Sequence, residues 1–235
     1  MTIEEMHYDV KFKLNKVDSQ KYRNLLIPEI DWALNESAEL FVKMVAMPRF
    51  DTPLGFEKTR RNIDDIRTVV VPNKALTLTK ASNEYVAAFP ADYWFFVKGK
   101  ATLTKGSCSA IASIKDRQLD DDFDAAFYRS SFEWRELNAT SDEEGLRLYT
   151  DGSFTVATAS MFYIKRMAYM HNASNFRDGS YKLNAATTLT GQVQCELPEG
   201  VHKEVVDIAV LLISGQLQIP GYQQSFNKIK LNNLN

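Results

Sequence analysis

The chain has 235 residues, 45% of them hydrophobic and 25% charged, with a formal net charge of -2 at pH 7. Such a composition suits a folded, soluble protein with one sizeable core or two small ones. Acids and bases are interspersed, so the basic stripe that tight DNA binding needs is missing.

No apolar run approaches the roughly 18 residues that cross a bilayer. The opening "MTIEEMHYDVKF" lacks the basic-then-apolar layout of a secretory signal, and folding in cytoplasm is the expectation. Cys108 and Cys195 lie far apart without a CxxC spacing, which points to two buried thiols rather than a disulfide or a zinc site.

The first element read from the pattern is a helix over "PEIDWALNESAELFVKM". Ile30, Leu34, Ala38, Phe41 and Val45 recur at intervals of three or four, with Ala33, Ser37 and Met44 beside them. Pro28 fits the first turn, Glu29 and Asp31 set negative charge near the positive end of the helix dipole, and Pro48 stops it. A second helix is expected from about Phe56 to Val70, where Phe56, Arg60, Ile63, Ile66 and Val70 repeat the spacing before Pro72. The two would form a hairpin across "PRFDTPLG".

Beyond Pro72 the period changes to two. "ALTLTKASNEYVAAFPADYWFFVKGKATLTK", "SCSAIASI", "LRLYTDGSFTVATA" and "SMFYIKRMAYM" are rich in Thr, Val, Tyr and Phe and read as strands. Asp151-Gly152 between two alternating runs predicts a tight hairpin. The segment "DRQLDDDFDAAFYRSSFEWRELNATSDEEG" reads as a long surface loop with a short helical piece.

A helical stripe returns in "PEGVHKEVVDIAVLLISGQLQIPG" with Val201, Val205, Ile208, Ala209 and Leu212, closed by Pro220-Gly221. Its apolar face needs cover, and the N-terminal helices are the economical choice. The polar, Asn-rich "YQQSFNKIKLNNLN" that follows has no core of its own and reads as an arm that orders against a neighbour.

The fold class predicted is therefore α+β: a discontinuous helical bundle with an inserted antiparallel β domain and an extended C-terminal arm. Residues 1–72 form the helical part, 73–197 the β insertion, 198–221 the returning helix and 222–235 the arm.

Chemistry has few footholds. His7, His171 and His202 are scattered and fit no metal-ligand spacing such as HExxH, which favours isolated or satisfied histidines. There is no GxSxG elbow, no local Cys-His pair, no GxGxxG and no GxxxxGK[ST] loop. The acidic run Asp116, Asp120, Asp121, Asp122 and Asp124 offers hard-cation ligands, but an EF-hand register from Asp120 would need Gly where Ala125 stands and Glu where Ser131 stands. It reads as a solvated loop. Asn35, Asn138 and Asn172 begin N-x-[ST] triplets that read as accidents of composition. Tyr93, Trp94, Phe95, Phe96, Phe127, Tyr128 and Trp134 could form a stacking platform, though alternation along a strand sends at least half of such a cluster into a core. No catalytic residue, metal or cofactor is nominated, and no enzymatic activity is expected.

One resemblance spans most of the chain. "YRNLLIPEIDWALNESAELFVK", "FPADYWFFVKGKATLTKGSC", "LRLYTDGSFTVATASMFYIKRM" and "CELPEGVHKEVVDIAVLLISGQLQ" occur in that order. Together they resemble the tail ring, or head-to-tail connector (adaptor), proteins of crAss-like and related tailed phages. A departure lies at "YIKRMAYM", where Met167 stands in place of the Pro often found after the basic residue in that family.

The resemblance implies a structural virion protein, one copy of a dodecameric ring that stacks with the portal protein and neighbouring ring proteins as a conduit for genome ejection. DNA would pass through it only non-specifically, no membrane would be involved, and assembly would occur in the host bacterial cytoplasm. The arm would dock on the adjoining ring, with Phe226, Ile229 and Leu231 as its anchors. Two other classes stay open on the residues alone: a carbohydrate- or receptor-binding tail module built on the β region, and a virion-associated hydrolase built on a pair of close carboxylates.

Overall fold

The computed structural model describes residues 1–17, 25–46, 64–116 and 129–216. The protein is α+β, with three α-helices and a large curled mixed sheet among those residues. The described residues fall into two compact units, one drawn from Met1–Thr68 and Ala168–Asn235 and the other from Val69–Met167. The second unit thus closes at Met167, thirty residues before the boundary read from the sequence. Residues 168–197, although partly extended, belong with the helices.

The first unit begins with a helix absent from the sequence reading, α1 (Ile3–Val17). Its start is a capping box: Glu5 N donates to Thr2 Oγ1 at 3.2 Å while Thr2 N donates to Glu5 Oε2 at 2.8 Å. Ile3, Met6 and Val10, one or two turns apart, are wholly buried.

Helix α2 (Ile27–Ala46) starts where Pro28 and Glu29 announce it. The Glu29 carboxylate reaches back to accept Leu26 N at 2.7 Å. Its buried stripe is Ile30, Asp31, Ala33, Leu34, Ser37, Ala38, Phe41 and Val42. Val42 thus takes the place expected for Val45, and Met44 faces out at 49% exposure.

The last helix, α3 (His202–Gln216), packs against both α2 and α1. Ala33, Ala38 and Ala209, all fully buried, keep side-chain bulk low among these helices, while Val205, Val206, Ile30 and Leu34 fill the space between them. Each of those larger side chains contributes roughly 1.5–3 kcal/mol on burial. Ile213 enters the core, whereas Leu212, the residue named from the stripe, is only half-buried. A helix turns 100° per residue, so a one-residue error near its end exchanges a core position for a boundary position.

Lys13 Nζ bonds Asp207 Oδ1 at 2.7 Å, tying α1 to α3. The His202 ring sits between Met1 O at 3.0 Å and Leu197 O at 2.9 Å. No helix among the described residues is long and apolar enough to cross a membrane.

Of the second helix expected over 56–70, residues 56–63 lie outside the described ones, as do the loop expected before it and the Pro48 and Pro220-Gly221 stops. What is described corrects its end. Ile66 to Val69 form turns, and Val70 opens a strand.

The second unit is an eight-stranded sheet in the order β1-β8-β4-β5-β6-β7-β3-β2. Its strands are β1 (Val70–Leu76), β2 (Leu78–Ala81), β3 (Glu84–Ala87), β4 (Tyr93–Lys105), β5 (Cys108–Asp116), β6 (Glu136–Ser141), β7 (Leu146–Tyr149) and β8 (Thr155–Lys165). The two edge strands, β1 and β2, are separated in sequence by Thr77 alone. One residue spans at most about 7 Å between its neighbours' Cα atoms, so the opposite edges must meet there and the sheet must curl on itself.

Leu103, Leu137, Leu146 and Leu148 fill the interior, with Ala101, Ala112, Ala139 and Ala159 beside them and Phe89, Phe96 and Phe132 packed against the cluster. Pro72 is tolerated because β1 is an edge, and it sits in a bulge between Val71 and Lys74 with Asn73 at φ 48°.

Three expectations about this unit need correcting. The β5–β6 pair is parallel, so the sheet is not purely antiparallel. The loop expected over 116–145 contains β6, whose Leu137 and Ala139 are fully buried. Finally, Asp151-Gly152 turns the chain, with Gly152 at φ 80°, but joins no hairpin: β7 pairs with β6 and β3, and β8 with β4 and β1. The two-residue hairpins are Ser82-Asn83, between β2 and β3, and Gly106-Ser107, between β4 and β5. Gly106 at φ 61° holds the first central position, where a left-handed residue matches the strand twist.

Candidate functional site

The densest constellation of polar chemistry among the described residues surrounds Asp31. This residue stands one place along from Ile30 on the buried side of α2 and is fully buried. Three donors converge on its carboxylate. His7 Nε2, from α1, lies 2.7 Å from Oδ1. Asn172 N donates to Oδ1 at 3.1 Å and Oδ2 at 3.2 Å, and Tyr181 OH donates to Oδ2 at 2.7 Å.

Asn172 belongs to the short strand β9 (His171–Asn172), paired with β12 (Gln192–Val193), while Tyr181 belongs to β10 (Ser180–Lys182), paired with β11 (Thr188–Thr190). One carboxylate therefore fastens α1, β9 and β10 to α2. Asn35, one turn further along α2, extends the knot: its Nδ2 donates to Met170 O at 2.7 Å and its Oδ1 accepts Met170 N at 2.9 Å.

A carboxylate only accepts, so His7 donates from Nε2, which leaves Nδ1 as the ring nitrogen outside the knot's hydrogen bonds. That atom is buried and finds no partner among the described residues. His171, also buried, has its Nδ1 in the same condition and meets the Tyr181 ring edge-on at 6.5 Å. A groove of about 370 Å³ beside the knot is lined by Glu4, His7, Tyr8, Lys11, Ile27, Asn172 and Asn175.

An Asp-His pair is half of a nucleophile-activating relay. Here no Ser, Thr or Cys of the described residues completes it at Nδ1, and no group of three His, Cys, Asp or Glu among them is placed to hold a metal.

Neither the models of known families nor the curated proteins give a match to this chain. Function must therefore be argued from its own residues.

The arm anchors Phe226, Ile229 and Leu231 lie outside the described residues, as do Asp120, Asp121, Asp122, Asp124, Phe127 and Tyr128. Asp116 ends β5, where its Oδ2 accepts Ser141 Oγ at 3.0 Å. Asn138 and Asn172 are buried within the fold, so neither triplet is an accessible acceptor.

The thiols are less buried than expected. Cys108 is exposed because it follows directly on the Gly106-Ser107 turn, and Cys195 is half-buried, its thiol pushed up in pKa by burial. Of the aromatic run, Tyr93 stacks on Phe89 at 3.9 Å and Phe96 packs on the core, but Trp134 is 81% exposed.

His7, bonded to Asp31, and His202, held between two carbonyls, are satisfied histidines, one of the two conditions expected, while His171 meets the same knot only through the Tyr181 ring. The missed signal was the α1 spacing of Ile3, Met6 and Val10, which puts His7 on the buried face.

The surface of the helices carries the other notable feature. On α1, Tyr8 is 67% exposed, and on α2, Trp32 is 47% exposed.

Burial pushes the Tyr181 hydroxyl far above its usual range, and the Asp31 carboxylate adds to the effect. In the second unit, burial followed by the bond to Asp92 raises Tyr163 from the ordinary 10 to about 12. Both protons are held more tightly in the folded chain, so this stabilisation is complete below pH 10 and is lost as pH rises through the folded values. An ultraviolet titration is expected to show a late-ionising group of tyrosines that includes Tyr163 and Tyr181. Tyr163→Phe should remove one late tyrosine; an unchanged late amplitude would contradict the assignment.

Proposed function

We propose that this chain is a structural subunit of a phage head-to-tail connector or tail ring, a conduit for genome ejection. In this reading the three helices form a discontinuous bundle, the sheet unit is its insertion, and residues 222–235 are an arm reaching a neighbour. The observation that carries it beyond the four sequence motifs is the apolar surface of the helices. Tyr8 and Trp32 expose large rings while the opposite faces of the same helices are fully buried. Helices built to hold one core and still offer apolar area outside it suit a subunit packed between copies.

The Asp31 knot fits the same role. It fixes helix positions through hydrogen bonds that tolerate little displacement, which a ring of repeated interfaces requires. A heterologous contact repeated around an axis gives a ring when its rotation closes, and a ring matched to a portal would hold twelve copies. Portal and neighbouring ring proteins would be its axial partners.

Mass spectrometry and electron microscopy of the parent particle test the proposal together. This chain should be found in purified virions at about twelve copies, in a ring between portal and tail. Purified, infectious particles that lack it would overturn the reading.

A further inference from the structure

A second groove, of about 360 Å³, lies where α2 begins and α3 ends, lined by Leu25, Pro28, Glu29, Trp32, Ile213 and Gln216. Its walls are mostly apolar, and Trp32 is 47% exposed in it. The chain continues beyond both of its ends. Before Leu25 run residues 18–24, "DSQKYRN", with one aromatic among polar and charged groups. After Gln216 run nineteen residues, 217–235, which carry Leu217, Ile219, Tyr222, Phe226, Ile229, Leu231 and Leu234. Only the second segment has the apolar content to cover such walls. It also carries Lys228 and Lys230 and no acidic residue, complementary to Glu29 at the groove.

We propose that this groove is the seat of the chain's own C-terminal segment, which turns back at Pro220-Gly221 and covers Trp32 with Phe226. Pro-Gly favours a reversal of direction, and it stands four and five residues past the groove wall. Phe226 follows Gln216 by ten residues, a length of chain that reaches at most about 35 Å when fully extended. A tether this short gives an effective concentration on the order of millimolar. The chain's own segment therefore outcompetes that of a second copy at any lower protein concentration.

The inference does not rest on the ring reading, since an isolated chain suffices for it. It adds a step to that reading: the arm of an unassembled subunit is parked on its own helices and is released when a neighbour engages it.

Two measurements on the full chain test it. In a Cys108→Ser, Cys195→Ser background, Glu29→Cys with Phe226→Cys should oxidise to a disulfide within one chain, independent of dilution. A disulfide only between chains, or one no faster than with Leu234→Cys in place of Phe226→Cys, would overturn the proposal. Separately, Trp94→Phe with Trp134→Phe leaves Trp32 as the single tryptophan. Phe226→Asp should then cause loss of the shielding of Trp32 from acrylamide while the far-ultraviolet dichroism stays the same. Equal quenching with and without Phe226→Asp would place the segment elsewhere.

Discussion

Asp31→Ala is expected to lower the unfolding free energy of the helical unit by about 3–5 kcal/mol, the range for removing one partner from a buried, hydrogen-bonded charge cluster. The size follows from what is left behind. His7 Nε2, Asn172 N and Tyr181 OH all point at the carboxylate, and all three residues are buried. Each orphaned donor costs about 1–3 kcal/mol, and relaxation around the smaller side chain recovers part of the sum.

Asp31→Asn should fall between wild type and Asp31→Ala, because one amide oxygen still accepts while the amide NH2 faces donors. Tyr181→Phe should cost least, since it removes a donor together with its need. Denaturant unfolding followed by far-ultraviolet dichroism measures the series. A loss under about 1 kcal/mol for Asp31→Ala would mean that the knot is not what joins α1, β9 and β10 to α2.

The same residue shows where the sequence was readable and where it was not. Helix α2 could be placed from Pro28, Glu29 and a 3.6-residue stripe, all local signals. Asp31 looked like a charge favouring the helix dipole because its partners sit 24, 141 and 150 residues away, and no local pattern encodes that convergence. Helix α1 carried a capping box, Thr2-x-x-Glu5, and the stripe of Ile3, Met6 and Val10, so it was legible and passed over.

In the sheet unit the strands were readable from alternation, but their partners were not. The Asp151-Gly152 turn has the composition of a hairpin, yet Leu146 and Leu148 find their neighbours in β3 and β6, while Thr155 onward finds β4 and β1. Turn chemistry specifies a reversal of direction, whereas pairing is decided by which strands bury the shared core. Strand β6 was hidden by its composition, since "ELNATS" has only Leu137 as a large apolar residue. The tight interior seats Ala139 where a bulkier residue would announce a strand.

The second large effect is expected at Gly145, where β7 begins beside β3. Its φ of +142° is a conformation available almost only to glycine, and a Cβ built there would lie 2.1 Å from Ala87 O and 2.8 Å from Ala87 C. Both obstacles are backbone, so no side chain can rotate aside. The neighbours are fixed as well: Leu146 is registered opposite Ala87 in the β3–β7 ladder, Asp142 N donates to Gly145 O at 2.9 Å, and Gly145 N reaches Asp142 Oδ1 at 3.0 Å.

Gly145→Ala must therefore either strain the turn or pull β7 off β3, and β7 carries Leu146 and Leu148 of the core. A cost of about 3 kcal/mol or more is expected, the level reserved for substitutions with a named backbone conflict. Gly106→Ala supplies the control. Gly106 is also left-handed, at φ +61°, but nothing lies within 4 Å of its Cβ position. Its loss should therefore cost only the left-handed penalty of about 1–2 kcal/mol. Thermal unfolding of both variants separates strain from collision: equal shifts would show that φ alone decides, while a much larger shift for Gly145→Ala would show that the close approach of β3 is what reserves the position for glycine.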